Sequence, residues 1–106
     1  MTITSEEPVE TRALREVRTL VLEAVRPYRA RVWLFGSRAR GDARSASDID
    51  VAVESPEGAL PREVLARLRE RLFESHVPWT VDVVDLAAVD ARFRDRILSE
   101  AIRWND

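Results

Sequence analysis

Two short motifs, Gly-Ser and Asp-x-Asp with ten residues between them, constrain the fold of this chain more than any other feature. Val32 to Phe35 form a run of β-branched and aromatic residues that stops at Gly36, which is typical of a short buried strand before a turn. Ser37 would lie on that turn. From Asp48 onward, acidic and apolar residues alternate, as they do in a strand with one buried face. The motifs therefore predict a turn at the end of one strand and a second strand that carries acids.

The residues of the turn have the chemistry of a phosphate-binding site. Gly36 has no Cβ and lets the backbone pass close to a ligand, while Ser37 supplies a hydroxyl and an amide donor. The stretch from Arg38 to Arg40 is expected to form a single helical turn before Gly41, and a helix start aims its free amides at phosphate. Either arginine could reach a phosphate, and Arg38 joins Gly36 and Ser37 as a candidate nucleotide ligand.

Asp48 and Asp50 are expected to project side by side from the same face of their strand. Unpaired like charges at that separation repel each other, and a hard divalent cation such as Mg²⁺ makes the arrangement favourable. A third carboxylate would complete a site for two metal ions, which lie about 3.5–4 Å apart in such sites. Asp82 is the first choice, because an acid among buried strand valines is costly unless something pairs with it, and Asp85 at the end of that strand is the alternative.

The rest of the pattern predicts three helices and a third strand. Apolar residues at helical spacing indicate helices at 10–26, 61–75 and 87–104, the last with a short extended piece at 102–104. The third strand spans 81–85. At 106 residues the chain is predicted to be one domain over its whole length, with a flexible N-terminus at 1–9. So short a chain is expected to borrow its acceptor-binding surface from another protein.

Composition excludes several classes of site. All 17 basic residues are arginine, so a Walker A loop, a Schiff-base lysine and a pyridoxal site are excluded. Without cysteine there is no disulfide and no thiolate metal site. The net charge of −2 argues against nonspecific nucleic-acid binding. No apolar run approaches the roughly 18 residues of a membrane span, so a cytoplasmic protein is expected.

Taken together, Gly36, Ser37, Asp48, Asp50 and Asp82 resemble the motif of the DNA polymerase β-type nucleotidyltransferase superfamily. The small size is similar to its minimal members, the MNT domain proteins, and within these to MntA-type antitoxins. The similarity covers roughly residues 10–104, and its specific part is the Gly-Ser to Asp-x-Asp segment. The resemblance implies a polymerase β-like fold of the α/β (α+β) class, with a small mixed sheet of three to four strands flanked by helices.

The resemblance also implies a function and a role for each residue. Such antitoxins transfer AMP from ATP to a tyrosine of a HEPN toxin of the HepT type, in a type VII toxin-antitoxin pair. Gly36 and Ser37 would hold the β- and γ-phosphates. Asp48 and Asp50 would bind two Mg²⁺ ions, while Asp82 would bind the catalytic one and help to deprotonate the acceptor hydroxyl.

Other interpretations stay open on the sequence alone. The Asp-x-Asp motif could mark a strand end without catalytic meaning, and Asp82 could be paired with an arginine. The chain could be the nucleotide-binding subunit of a two-chain enzyme that adenylylates a small molecule such as an aminoglycoside. It could also neutralise a toxin by binding alone, without catalysis, or act as a nucleotide sensor.

Overall fold

A computed structural model describes residues 7–106, and four helices and four strands account for most of that range. The helices are α1 (Val9–Val25), α2 (Ser37–Arg40), α3 (Arg62–Phe73) and α4 (Ala91–Glu100). The strands are β1 (Arg31–Phe35), β2 (Ile49–Glu54), β3 (Val81–Asp85) and β4 (Ile102–Arg103). Short 3₁₀ turns follow α1 at Arg26–Tyr28 and β3 at Leu86–Ala88.

The strands form one mixed sheet in the order β3-β2-β1-β4. β1 pairs antiparallel with both β2 and β4, whereas β2 and β3 run parallel. A parallel pair needs a crossover connection, and α3 supplies it between β2 and β3. The predicted α/β class with a small mixed sheet is therefore confirmed, and β3 is left as an outer strand beside the strand that carries Asp50.

Both faces of the central strand β2 are buried, by different helices. Ile49, Val51 and Val53 are fully buried and belong to the larger apolar cluster, which includes residues of α1 and α3. On the other face, Ala52 packs in a smaller cluster with Ile97 of α4. The predicted alternation is therefore real, although the face of β2 that carries Asp50 also includes the buried apolar residue Ala52. This burial fixes the register of β2 and hence the position of its two aspartates.

The ends of the chain differ from their predictions. The tail helix begins at Ala91 rather than near residue 87, because the Asp85 side chain accepts a hydrogen bond from the Ala87 amide and holds a 3₁₀ turn there. Asp90 then caps α4 by accepting from the Phe93 amide. The short extended piece is confirmed as β4. Of the predicted flexible segment 1–9, residues 1–6 lie outside the described residues.

Candidate active site

Gly36 ends β1 in a conformation that is essentially restricted to glycine, with φ 77° and ψ −159°. A Cβ at this position would overlap Oδ2 of Asp50 and lie 3.1 Å from its Cγ. Any other residue would therefore push the Asp50 carboxylate away from the turn. The Gly36 carbonyl accepts the amides of Ala39 and Arg40, which starts α2 directly at Ser37. Glycine thus places the serine turn and the Asp50 carboxylate side by side.

Asp50 and Asp82 lie opposite each other in the register of the parallel pair β2 and β3. Neighbouring strands are about 4.8 Å apart, so two carboxylates at paired positions meet on the same face of the sheet. Asp48 precedes the start of β2 and is exposed, as is Asp82, while Asp50 is half-buried. The structure pairs Asp50 with Asp82 and places Asp48 two residues before Asp50, just outside β2.

The electrostatics of Asp50 follow from this arrangement. Burial raises the pKa of the Asp50 carboxyl, and the negative charges of Asp82 and Asp48 raise it further. The Arg40 guanidinium opposes the rise in this pKa. Asp50 is therefore repelled by both neighbouring carboxylates, and its ionised form is unfavourable unless a cation binds next to it.

The donor set fits a hard divalent cation, because three carboxylates offer only oxygen ligands and their mutual repulsion favours added positive charge. As placed, no three acidic or histidine side chains between residues 7 and 106 form a ready metal-binding group. Asp48 and Asp82 are exposed, so their side chains can turn toward a shared ion. The fixed member of the set is Asp50, held against Gly36.

Two other acids on the strands of the sheet already have hydrogen-bond or ion-pair partners within the protein. Asp85 is buried and accepts hydrogen bonds from the Leu60 amide at 2.8 Å and the Ala87 amide at 2.9 Å. Glu54, on the same strand as Asp50, is paired with Arg94 at 2.7 Å. Asp85, the alternative third ligand, is therefore a structural residue. Asp82 is in none of the six ion pairs found within residues 7–106.

Arg38, the predicted nucleotide ligand on α2, makes several contacts within the fold. Its side chain is only 1% exposed and forms an ion pair with Glu10. Its Nε and Nη2 donate to the Ser47 carbonyl at 3.2 and 2.7 Å, and its guanidinium lies 4.4 Å from the ring centroid of Trp79. These contacts hold the guanidinium within the fold, and its contact with a phosphate stays a prediction. Arg38 also holds the residue that precedes Asp48.

Arg40 is the cation whose positive charge acts on Asp50. It is exposed, forms ion pairs with Asp42 at 3.2 Å and Glu100 at 2.9 Å, and is near enough to Asp50 to lower its pKa. Helical residues three apart share a face, and Arg40 is three residues after Ser37. This spacing is the sequence signal that distinguishes Arg40 from Arg38, whose position one residue after Ser37 turns it toward the interior.

A groove of about 670 Å³ opens beside the acids along the outer strand β3. We call it the aromatic groove. Its lining includes Asp50 and Asp82, the basic residue Arg69, and the aromatic residues Phe73, Trp79 and Phe93. The sequence pattern placed Phe93 on the apolar face of the tail helix, but its side chain is 40% exposed. Helical periodicity cannot show this groove, because it forms between segments that are distant in sequence.

Comparison with known proteins agrees with this geometry. A family model described as a nucleotidyltransferase domain matches residues 13–104. A Haemophilus influenzae protein named "Probable protein adenylyltransferase MntA" is 38% identical over 99 residues, which covers 92% of this chain and 82% of the relative. Because the family model spans most of the chain and the identity is above 30%, the resemblance predicted from the motifs is confirmed.

Two solved structures share the fold. A minimal nucleotidyltransferase that is 37% identical has a TM-score of 0.67, covering 93% of this chain and 98% of that chain. A tri-AMPylated Shewanella oneidensis HEPN toxin in complex with an MNT antitoxin gives a TM-score of 0.61 at 19% identity, covering 86% of this chain and 71% of the matched one. The chain therefore belongs to the nucleotidyltransferase domain family and is a nucleotidyltransferase.

Proposed function

We propose that this protein transfers AMP from ATP to a tyrosine of a HEPN toxin and acts as the antitoxin of that pair. The observation that carries the proposal is the pairing of Asp50 with Asp82 across parallel strands, beside the Gly36–Ser37 turn. The H. influenzae relative is named as a protein adenylyltransferase, and the S. oneidensis structure pairs an MNT antitoxin with an AMPylated toxin. Both support a protein as the acceptor.

In the proposed reaction, the acceptor hydroxyl attacks the α-phosphorus in line with the bond to the leaving pyrophosphate. Ser37 donates its amide and hydroxyl to the β- and γ-phosphates, and Gly36 lets them approach the backbone. Arg40, whose charge lowers the pKa of Asp50, adds positive charge near the phosphates. Asp82 accepts the proton of the attacking hydroxyl. The protein contributes mainly by positioning its substrates and by neutralising charge.

The carboxylates of Asp48, Asp50 and Asp82 are the residues that would hold divalent metal, which we take to be two Mg²⁺ ions. When bound, the metal supplies positive charge that stabilises both the attacking and the leaving oxygen. Asp50 would be the best-positioned of these ligands, since its carboxylate is the least exposed of the three and is fixed against Gly36. The cluster of like charges explains why the site should favour a cation.

Localisation is a separate question. The sequence predicts a cytoplasmic protein, and in the described residues no helix has both the length and the apolar character to cross a membrane. The cytoplasmic location stays a prediction, as does the absence of direct nucleic-acid binding.

The test is transfer of label from α-³²P ATP, in the presence of Mg²⁺, to the purified product of the adjacent gene, which the proposal expects to be a HEPN toxin. The matched variant carries Asp48→Asn and Asp50→Asn, which keep the size of both side chains. We expect label on the toxin with the wild-type protein and none with the variant. Label on an added aminoglycoside but not on the toxin would instead select the small-molecule enzyme. Toxin neutralisation that survives in the variant would select a binding-only antitoxin.

A further inference from the structure

The position of the aromatic groove relative to the acids separates two sides of the reaction centre. Within the described residues, its lining includes Asp50 and Asp82 but neither Ser37 nor Asp48. In an in-line displacement, the entering and leaving groups lie on opposite sides of the phosphorus. The proposed function places the leaving pyrophosphate at the Ser37 turn. The groove therefore opens on the side from which the acceptor must enter.

The chemistry of the groove walls discriminates between classes of acceptor. Apart from Asp50 and Asp82, the residues that line the groove include no carboxylate, and their one charged member is Arg69. A polycationic acceptor such as an aminoglycoside needs acidic walls, and it would meet an arginine here. Aromatic rings instead suit an aromatic side chain, which packs against them in stacked or edge-on geometry. The walls favour a tyrosine over an aminosugar.

The edge of the sheet also limits how a partner can dock. An outer strand can accept an added strand through its free backbone groups. At the middle of β3, however, Arg69 Nη2 donates to the Val83 carbonyl at 2.8 Å and occupies it. A partner must then contact the groove through side chains rather than by extending the sheet. This mode of contact suits a helical segment better than an extended one.

Apolar side chains flank the groove on both sides of β3. Phe73 at the end of α3 is 91% exposed, and Phe93 on α4 is 40% exposed. They are two of the four large apolar side chains exposed in residues 7–106, and both line the groove. A clustered apolar surface next to a reaction centre is characteristic of a contact site for a partner. Phe73 is the side chain that a partner would cover most completely.

We propose that the aromatic groove binds the acceptor segment of the toxin, a helix that presents a tyrosine, with the helix against Phe73 and Phe93 and the tyrosine hydroxyl toward Asp82. The inference rests on the proposed function. The tyrosine oxygen forms a bond to the α-phosphorus while the bond from that phosphorus to the pyrophosphate oxygen breaks. The hydroxyl proton passes to Asp82, and pyrophosphate leaves.

The test compares Phe73→Ala with Ile102→Ala, which removes an exposed apolar side chain from β4 at the opposite edge of the sheet. Because Phe73 is almost fully exposed, its removal should not disturb folding. We measure AMP transfer to the cognate HEPN toxin, and binding of the ATP analogue AMP-PNP to the chain alone. Phe73→Ala should lower kcat/KM for the toxin about tenfold through KM, with AMP-PNP binding unchanged. Ile102→Ala should stay within about twofold of the wild type.

The outcomes separate this inference from the function on which it rests. If the wild-type protein labels the toxin and Phe73→Ala labels it equally well, the groove assignment is overturned while the adenylyltransferase proposal stands. The same conclusion follows if Phe73→Ala and Ile102→Ala weaken transfer to the same extent. If the wild-type protein neither labels nor binds the toxin, the proposed function fails and the groove assignment fails with it.

Discussion

At the scale of single residues, Asp50 shows a conflict between stability and function. Folding raises its pKa, through burial first and then through the charges of Asp82 and Asp48. For an acid whose pKa is raised by folding, the stabilisation is full below the unfolded-state pKa and is lost as the pH rises through the folded-state pKa. The ionised carboxylate that would bind metal at neutral pH therefore costs folding stability.

Asp50→Asn should consequently stabilise the metal-free protein at neutral pH while abolishing AMP transfer. We expect a gain of about 0.5–1 kcal/mol in the free energy of unfolding, a modest value because solvent screens the half-buried site. The gain should shrink as the pH falls toward about 4, where the carboxyl of the unfolded chain becomes protonated. Thermal unfolding from neutral to acid pH measures both effects. A variant less stable than the wild type at neutral pH would contradict this account of Asp50.

Gly36 gives a second prediction at this scale, with Gly41 as a matched control. Both glycines have positive φ, but a Cβ at Gly36 overlaps the Asp50 carboxylate, whereas a Cβ at Gly41 meets nothing within 4 Å. Gly36→Ala should cost about 1–3 kcal/mol of stability and remove activity, because Asp50 must move. Gly41→Ala should also lose stability but retain AMP transfer. Urea unfolding and the transfer assay together distinguish them, and equal activity of the two variants would refute the steric argument.

At the scale of elements, the segment between α2 and β2 is held in place by hydrogen bonds from Arg38 and Trp79. Arg38 donates to the Ser47 carbonyl and stacks on Trp79, and the Trp79 Nε1 donates to the Ser45 carbonyl. Trp79 lies just before β3, the strand of Asp82. One buried arginine thus connects the helix after the Gly-Ser turn, the residue before Asp48 and the start of the third strand. We infer that Arg38 positions Asp48 for metal binding.

Arg38→Ala should therefore raise the Mg²⁺ concentration needed for half-maximal AMP transfer, besides costing about 1–3 kcal/mol of stability for the hydrogen bonds that it removes. The control is Arg103→Ala, since Arg103 also lies over a tryptophan, at 5.4 Å from the Trp33 centroid, but on β4. Arg103→Ala should leave the Mg²⁺ dependence unchanged. If Arg38→Ala lowers stability without changing that dependence, the arginine has only a structural role.

The sequence alone predicts features that depend on neighbouring residues better than features that depend on contacts between residues far apart in the chain. Local patterns were sufficient for β1, for the alternation of β2 and for the helical turn after Gly36. The tail helix was placed too early because its start depends on Asp85, whose carboxylate also accepts from the Leu60 amide, 25 residues away. The burial of Arg38 could not be predicted locally, because it depends on contacts with α1 and Trp79. The pairing of Asp50 with Asp82 is likewise a long-range register.

At the scale of the whole molecule, one sheet serves two tasks. Its centre is buried by helices on both faces, and this holds β2 in a single register. Its β3 edge carries the third acid and the aromatic groove. The rigid centre fixes Asp50, and the open edge leaves Asp82 accessible to an acceptor. We propose that this chain carries out the nucleotide chemistry while another chain presents the acceptor.

The most direct test of the three-acid site is the rate of AMP transfer for Asp82→Asn, measured beside Asp95→Asn, which changes an exposed acid on α4. Charge stabilisation at a metal site is worth several kcal/mol, so Asp82→Asn should lower the rate by about a thousandfold or more. Asp95→Asn should stay within about twofold, since changes to exposed residues away from a site have little effect. Circular dichroism should be the same for both. A rate for Asp82→Asn that matches that of Asp95→Asn would contradict the assignment of the third acid.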